Sequence, residues 1–219
     1  MACGGGGDAE QRSCITWENG QWIVTHELNR QRYEHSAFVS EEGLMLMGSS
    51  DYPGSIFSII LDKNPVLGDD EPDSHRTYDL KYGMTSACAI QEPETNTVVI
   101  TGGRGGGQGD IVVRYGQNGF LADLPSLNDA RLQHACGSYY LEDHTKVMLV
   151  AGGNGDDGQY AGASVEIRVG DGDSPWVRTT PLPSAVEASR IATLNNNIYH
   201  MGMNQFNSKD FFSIKYMIF

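Results

Sequence analysis

The sequence lacks the features that attach a protein to a membrane or a nucleic acid. No apolar run reaches the roughly 18 residues that a membrane span needs, and the opening stretch MACGGGGDAEQRSC has no apolar core like that of a signal peptide. Lys and Arg number 15 against 28 Asp and Glu, a formal net charge of −13. Because such a surface repels phosphates and anionic lipids, we expect neither nucleic acid nor membrane partners. A cytosolic protein is expected if Met1 is the true start, and an extracellular one stays open if the N-terminus is truncated.

The sequence also lacks recognisable motifs for catalysis or for a bound cofactor. Its four cysteines have none of the CxxC or Cys/His spacings of metal sites. It contains no G-x-S-x-G elbow, no Ser-His-Asp order and no paired acid/base carboxylates that stand out. These absences predict a protein with no catalytic residue, no metal and no cofactor, although a site assembled from distant segments would leave no linear motif.

Glycine, by contrast, is abundant. The chain has 27 glycines, and six of them lie in the stretch TGGRGGGQGD at 101–110. A phosphate-binding loop needs G-x-x-x-x-G-K-[ST] followed by a helix, whose first amides hold the phosphate. Here no Lys-Ser or Lys-Thr follows, and the stretch continues into the β-prone residues 110–113. We therefore interpret it as a turn between two strands.

The glycines are part of an internal repeat. A short β-prone stretch ends in glycine four times, at Gly48, Gly102, Gly152 and Gly202, with intervals of 54, 50 and 50 residues. Further short β-prone stretches and polar turns flank each of them, and no amphipathic helix is recognisable. Tandem units of about 50 residues with four strands each predict an all-β propeller.

Two of the repeats carry a second glycine, TGG at 101–103 and AGG at 151–153, while the other two keep only the first. With a later aromatic residue in each unit, this pattern resembles the kelch repeat. The resemblance implies a kelch-type β-propeller, and kelch domains often act as substrate receptors or cytoskeletal scaffolds. The residues expected to be structural are Gly48, Gly102, Gly103, Gly152, Gly153 and Gly202, and the aromatics Trp22, Tyr78, Phe120 and Trp176.

The repeat divides the chain into a disordered Gly-rich leader, 1–12, and a kelch-type propeller, 13–219. Full units are expected near 33–80, 84–124 and 132–180. A fourth unit starts at 188 and stops after its third strand, and 13–25 look like two strands of an earlier unit. We expect about four blades of a larger, six-bladed ring. In the alternative arrangement the N-terminal strands complete the last unit and close a four-bladed ring.

The predicted binding surface is the loop face, where the loops between second and third strands lie beside the links between units. Loops on a rigid scaffold often carry binding residues, so this face is expected to bind a partner protein; the alternative is a set of solvated turns. The expected contact residues are Arg32, Tyr33, Asp51, Tyr52, Arg104, Arg131, Asp156, Asp157 and Tyr160.

Two pairs of residues on the first strands add further hypotheses. His35 and His134 occupy similar positions and are expected to hydrogen-bond backbone between units rather than to bind a metal. Cys88 and Cys136 hold matching places and are expected to be buried free thiols, because adjacent blades diverge. Together these observations predict a non-catalytic protein-interaction module. The alternative function is a carbohydrate-binding or enzymatic propeller with its site at the mouth of the central channel.

Overall fold

The chain is an all-β protein, as predicted. In the computed structural model the described residues are 2–3, 13–27, 35–40, 43–47, 60–62, 81–82, 85–92, 94–104, 109–116, 119–155, 162–170, 173–194, 197–204 and 207–216. These residues form strands and turns, and they contain no helix. Among them there is accordingly no helix that is long and apolar enough to cross a membrane.

The strands form five sheets in chain order, and each strand pairs antiparallel with the next one in its sheet. The first sheet contains β1 (Ala2–Cys3), β2 (Ser13–Glu18) and β3 (Gln21–Glu27). The second contains β4 (Ser36–Ser40), β5 (Gly43–Met47) and β6 (Ile60–Asp62). The third contains β7 (Cys88–Glu92), β8 (Thr97–Thr101), β9 (Val112–Gly116) and β10 (Gly119–Asp123). The fourth contains β11 (Ala135–Tyr140), β12 (Lys146–Ala151), β13 (Val165–Val169) and β14 (Val177–Arg178), and the fifth contains β15 (Glu187–Leu194), β16 (Asn197–Asn204) and β17 (Asn207–Tyr216).

The sheets follow the predicted units, with one difference at the N-terminus. The third and fourth sheets have four strands each and coincide with the units expected at 84–124 and 132–180. Within the segment expected to be a disordered leader, Ala2 and Cys3 instead form β1, whose Cα partners are Ile15 and Cys14. The remainder of that segment lies outside the described residues.

The first strands of the second to fifth sheets lie side by side. β4 contacts β7, β7 contacts β11, and β11 contacts β15. The register aligns these strands on the residue just before each repeated glycine. The Cα partner of that residue is the first residue of β4, β7 and β11, and the fourth residue of β15. The equivalent pairs are Ser36 with Met47, Cys88 with Thr101, Ala135 with Ala151, and Arg190 with Met201.

A disulfide joins two of these first strands, so the prediction of free thiols was wrong. Cys88 and Cys136 are bonded to each other across a Cα distance of 5.9 Å. Cys136 pairs with Val150, one residue further along than the position equivalent to Cys88. Because successive side chains on a strand point to opposite faces, the two cysteines lie on opposite faces of their own sheets. The face of the third sheet that carries Cys88 packs against the face of the fourth sheet that carries Cys136, so the two sulfur atoms lie within bonding distance. Cys14 is also disulfide-bonded.

The described hydrophobic core lies between successive sheets. β12 is buried along its whole length because its two faces pack against different neighbours. Met148 and Val150 join a cluster with Val99 and Trp176, whereas Leu149 packs in a second cluster that includes Ile198 of the fifth sheet. A strand that is buried on both faces explains the continuous apolar run VMLVA at 147–151.

The aromatic residues that were expected to be equivalent differ in burial. Among those described, Trp176 alone belongs to the core. Trp176 is buried in the cluster with Val99. Trp22 and Phe120 are 57% and 39% exposed. Tyr78 lies outside the described residues.

The paired glycines have the backbone conformation that their predicted structural role requires. Gly102, Gly103, Gly152 and Gly153 all have positive φ, between 61° and 94°. An added Cβ at Gly102 would lie 2.5 Å from the carbonyl oxygen of Arg131, and one at Gly152 would lie 2.7 Å from that of Val186. Both contacts are with backbone of the link that leads to the next sheet, which has little freedom to move away. Gly202 lies within β16, and Gly48 lies outside the described residues.

We predict that Gly152→Ala lowers the free energy of unfolding by about 3 kcal/mol, since it combines a left-handed conformation with overpacking. Gly170→Ala is the matched control, because Gly170 has a φ of 77° and no neighbouring atom within 4 Å of an added Cβ. The control is expected to lose only about 1 kcal/mol, the cost of the backbone conformation. Urea unfolding of both variants measures the difference, and equal losses would contradict the close contact with the link.

Candidate functional site

A pocket opens where the first strands of four sheets begin. Its volume is about 170 Å³. The lining residues come from all four of these sheets or the segments just before them: His35, Ser86, Ala87, Gln133, His134, Ala188 and Arg190. Five of the seven side chains are polar, so the pocket suits a small polar group.

The rim of the pocket has an unusual backbone conformation that recurs from sheet to sheet. Ser86, Gln133 and Ala188 have φ values of 54°, 51° and 47°, although none of them is glycine. The Gln133 N–H donates to the Ser86 carbonyl over 2.9 Å, and the Ser189 N–H donates to the Gln133 carbonyl over 3.4 Å. These bonds connect neighbouring sheets directly. Strained residues of this kind cost of order 1–2 kcal/mol each and cluster at functional sites.

His134 lies at the junction of the third and fourth sheets. It is buried, and its Nε2 lies 2.8 Å from the hydroxyl of Thr101 on the neighbouring sheet, so its partner is a side chain and not the expected backbone group. Its Nδ1 has no hydrogen-bond partner among the described residues. Burial lowers the pKa of His134 well below its usual value, and the charges of Arg131 and Arg190 act in the same direction. The imidazole is therefore neutral at physiological pH.

Arg131 was predicted to contact a partner, and the structure corrects this. Its side chain is fully buried, and its Nη2 lies 2.6 Å from Oε1 of Glu166, which is also fully buried. Arg131 also donates to the carbonyl oxygens of Gly152 and Ser164. Glu166 accepts further bonds from the backbone N–H groups of Asn128 and Asp129. The pair therefore fixes the link between the third and fourth sheets instead of facing solvent.

Of the other predicted contact residues, Arg104 alone lies in the described part of the chain. Arg104 is exposed, and its backbone exchanges two hydrogen bonds of 2.8 Å with Thr85, the residue before Ser86. Arg104 therefore lies next to the rim of the pocket. The predicted contact residues outside the described part of the chain are Arg32, Tyr33, Asp51, Tyr52, Asp156, Asp157 and Tyr160.

The described ends of the glycine-rich stretch are placed as the two ends of a connection between strands. Thr101 ends β8, and the chain returns as β9 at Val112, with no helix following the glycines. The Gly102 N–H donates to the Ile111 carbonyl over 2.8 Å, which closes the turn at the strand ends. In the described part of the chain no group of three His, Cys, Asp or Glu side chains is placed to hold a metal ion.

The sequence reasoning missed the residues that form most of the pocket. Gln133, Ala188 and Arg190 belong to no motif, and Gln and Ala are not residues that signal a left-handed conformation. The available signal was their position, directly before or at the start of each first strand. Counting back from the repeated glycine through the strand register would have identified those positions.

We predict that Arg131→Ala lowers the free energy of unfolding by about 3–5 kcal/mol, because it leaves the buried Glu166 carboxylate without its cation. Arg178→Ala is the control: its Nη2 lies 2.5 Å from Asp129, but its side chain is 60% exposed. An exposed pair of this kind contributes at most about 1 kcal/mol. Thermal or urea unfolding distinguishes the two variants, and an Arg131→Ala protein as stable as the control would contradict the assignment.

We also predict a loss of stability in mild acid. His200 is buried, and desolvation lowers its pKa to about 4, so the unfolded chain, with a value near 6.5, binds more protons as the pH falls. The contribution of His200 is fully present above pH 6.5 and decreases by about 1.5 kcal/mol between pH 6.5 and 5. His134 acts in the same sense. Urea unfolding of His200→Gln at both pH values should show a loss of unfolding free energy that is smaller by this amount. A pH dependence equal to that of the parent would contradict the assignment to His200.

Comparison with known proteins identifies a shared fold and no family. The solved structure "Structure of YjhT" is similar to this chain, with a TM-score of 0.59 and 10% sequence identity, over 92% of this chain and 72% of that chain. No protein-family model and no curated protein matches the sequence. At 10% identity the likeness concerns the fold alone, and it agrees with an all-β chain of successive antiparallel sheets.

Proposed function

We propose that the chain is a kelch-type β-propeller and that it acts as a non-catalytic binding module for a partner protein. The tandem repeat supports the propeller, together with the adjacent first strands of four successive sheets. The kelch assignment rests on the glycine pairs, whose positive φ and close contacts give them the structural role that the repeat requires.

The observation that carries the binding function is the pocket shared by four sheets. Four separate units contribute to one concave, polar surface, so the surface depends on the assembled fold and not on any single loop. Arg104 extends the same surface beyond the rim, because its backbone is paired with Thr85. A partner protein that covers this end can insert one side chain into the pocket and contact Arg104 at its edge.

The second candidate function, a site for a small carbohydrate or an enzyme site at the channel mouth, rests on the same pocket. A polar cavity of about 170 Å³ also suits a small ligand. Glycoside hydrolysis by an acid/base pair needs two positioned carboxyl groups, and the described lining residues include no Asp or Glu. The lining therefore favours binding over glycoside hydrolysis.

Arg104→Glu tests the protein-binding function. Partners captured from the native source are quantified for the parent chain, for Arg104→Glu and for Glu142→Lys, a control that reverses an exposed charge on the turn between β11 and β12 at the other end of the strands. We expect Arg104→Glu to retain the stability of the parent and to capture about tenfold less of its partners. The loss of an arginine contact at an interface costs roughly 1.4 kcal/mol of binding free energy, which is a tenfold change in affinity. Equal capture by all three proteins would refute this surface, and saturable binding of a neutral sugar without partner capture would favour the second function.

A further inference from the structure

We infer that the pocket recognises a carboxylate, the side chain of an Asp or Glu on the partner protein, and that Arg190 is the residue that binds it. This inference rests on the proposed function and adds the chemistry of the group that enters the pocket. It depends on the charges around the pocket, on the hydrogen-bond donors that are left there, and on the size of the cavity.

Arg190 is the positive charge of the described pocket that has no counter-ion. Its side chain is exposed and lines the cavity. Its Nη1 donates to the Ser189 carbonyl over 2.8 Å, which restrains the guanidinium at the mouth. Among the described residues no carboxylate lies within 4 Å of Arg190, so its remaining N–H groups are available to a ligand.

The nearby charged groups already have partners of their own. Arg131 is neutralised by Glu166 at 2.6 Å. Glu187, on the same strand as Arg190, accepts a hydrogen bond of 2.6 Å from Asn154 and does not line the pocket. The described lining contains no Asp or Glu. As far as the described residues define it, the pocket is therefore a local positive site in a chain of net charge −13.

The donors present fit a single negative charge. A guanidinium binds a carboxylate through two parallel N–H···O bonds, and the Gln133 side-chain amide adds a neutral donor on the neighbouring sheet. His134 is neutral and buried, so it adds no second charge. With one arginine and no lysine in the described lining and a volume of about 170 Å³, the site matches a carboxylate better than a doubly charged phosphate.

The experiment compares sodium acetate with acetamide, which are the side chains of Asp and Asn without their backbone. The full ¹⁵N-labelled chain is titrated with each at constant ionic strength in sodium chloride, and the side-chain signals of Arg190 and Gln133 are followed by NMR. We expect acetate to shift both signals saturably and acetamide to bind at least about tenfold more weakly, because the bidentate ionic contact is lost. Arg190→Gln should weaken acetate binding at least tenfold, and Arg190→Lys should weaken it less. Arg178→Gln, which removes an exposed arginine of β14 that does not line the pocket, should leave acetate binding unchanged.

Each other outcome overturns the inference in a recognisable way. Equal binding of acetate and acetamide would remove the carboxylate preference and leave the pocket as a binding site for neutral groups. Acetate binding by Arg190→Gln at the strength of the parent would remove Arg190 as the anchor. No shift at the pocket with either probe would exclude a carboxylate there, while partner capture that still depends on Arg104 would leave the proposed function intact. Dispersed amide spectra of the variants show that they remain folded.

Discussion

The arrangement of the sheets depends on the close approach between each glycine pair and the link to the next sheet. The Gly103 N–H donates to the Arg131 carbonyl over 3.0 Å, and the Gly153 N–H donates to the Val186 carbonyl over 2.8 Å. Neither approach is possible if the preceding glycine, Gly102 or Gly152, carries a side chain. The link is thereby held against the end of one sheet as it starts the first strand of the next. The backbone bonds between Ser86, Gln133 and Ser189, and the pocket they border, follow from this placement.

The sequence was sufficient to predict the parts of the fold that depend on local pattern. The spacing of Gly48, Gly102, Gly152 and Gly202 defined the units, and the alternation around them identified strands. Contacts between sheets were harder to predict because they depend on register. Cys88 and Cys136 were predicted to hold matching positions and to be free thiols. Their positions in the strand register differ by one residue, which places them on facing sides of neighbouring sheets, where they form a disulfide.

The site was predicted less well than the fold, and two arginines show why. Arg131 and Arg190 each lie near the start of a first strand, and the sequence gives both the same polar appearance. Arg131 is buried because Glu166, 35 residues later, faces it from β13 and is itself held by backbone N–H groups. Arg190 has no such partner among the described residues and remains exposed at the pocket. The residues around Arg131 in the sequence do not indicate that Glu166, so distant in the chain, is its partner.

The central claim is that the first strands of successive sheets lie side by side around the pocket, and disulfide mapping tests it most directly. The non-reduced protein is digested with trypsin after free thiols are blocked, and the peptides are analysed by mass spectrometry. We expect the peptide YGMTSACAIQEPETNTVVITGGR, 82–104, to be linked to LQHACGSYYLEDHTK, 132–146, and the two to separate on reduction. A blocked thiol at Cys88, or a bond from Cys88 to Cys3 or Cys14, would contradict the adjacency of β7 and β11.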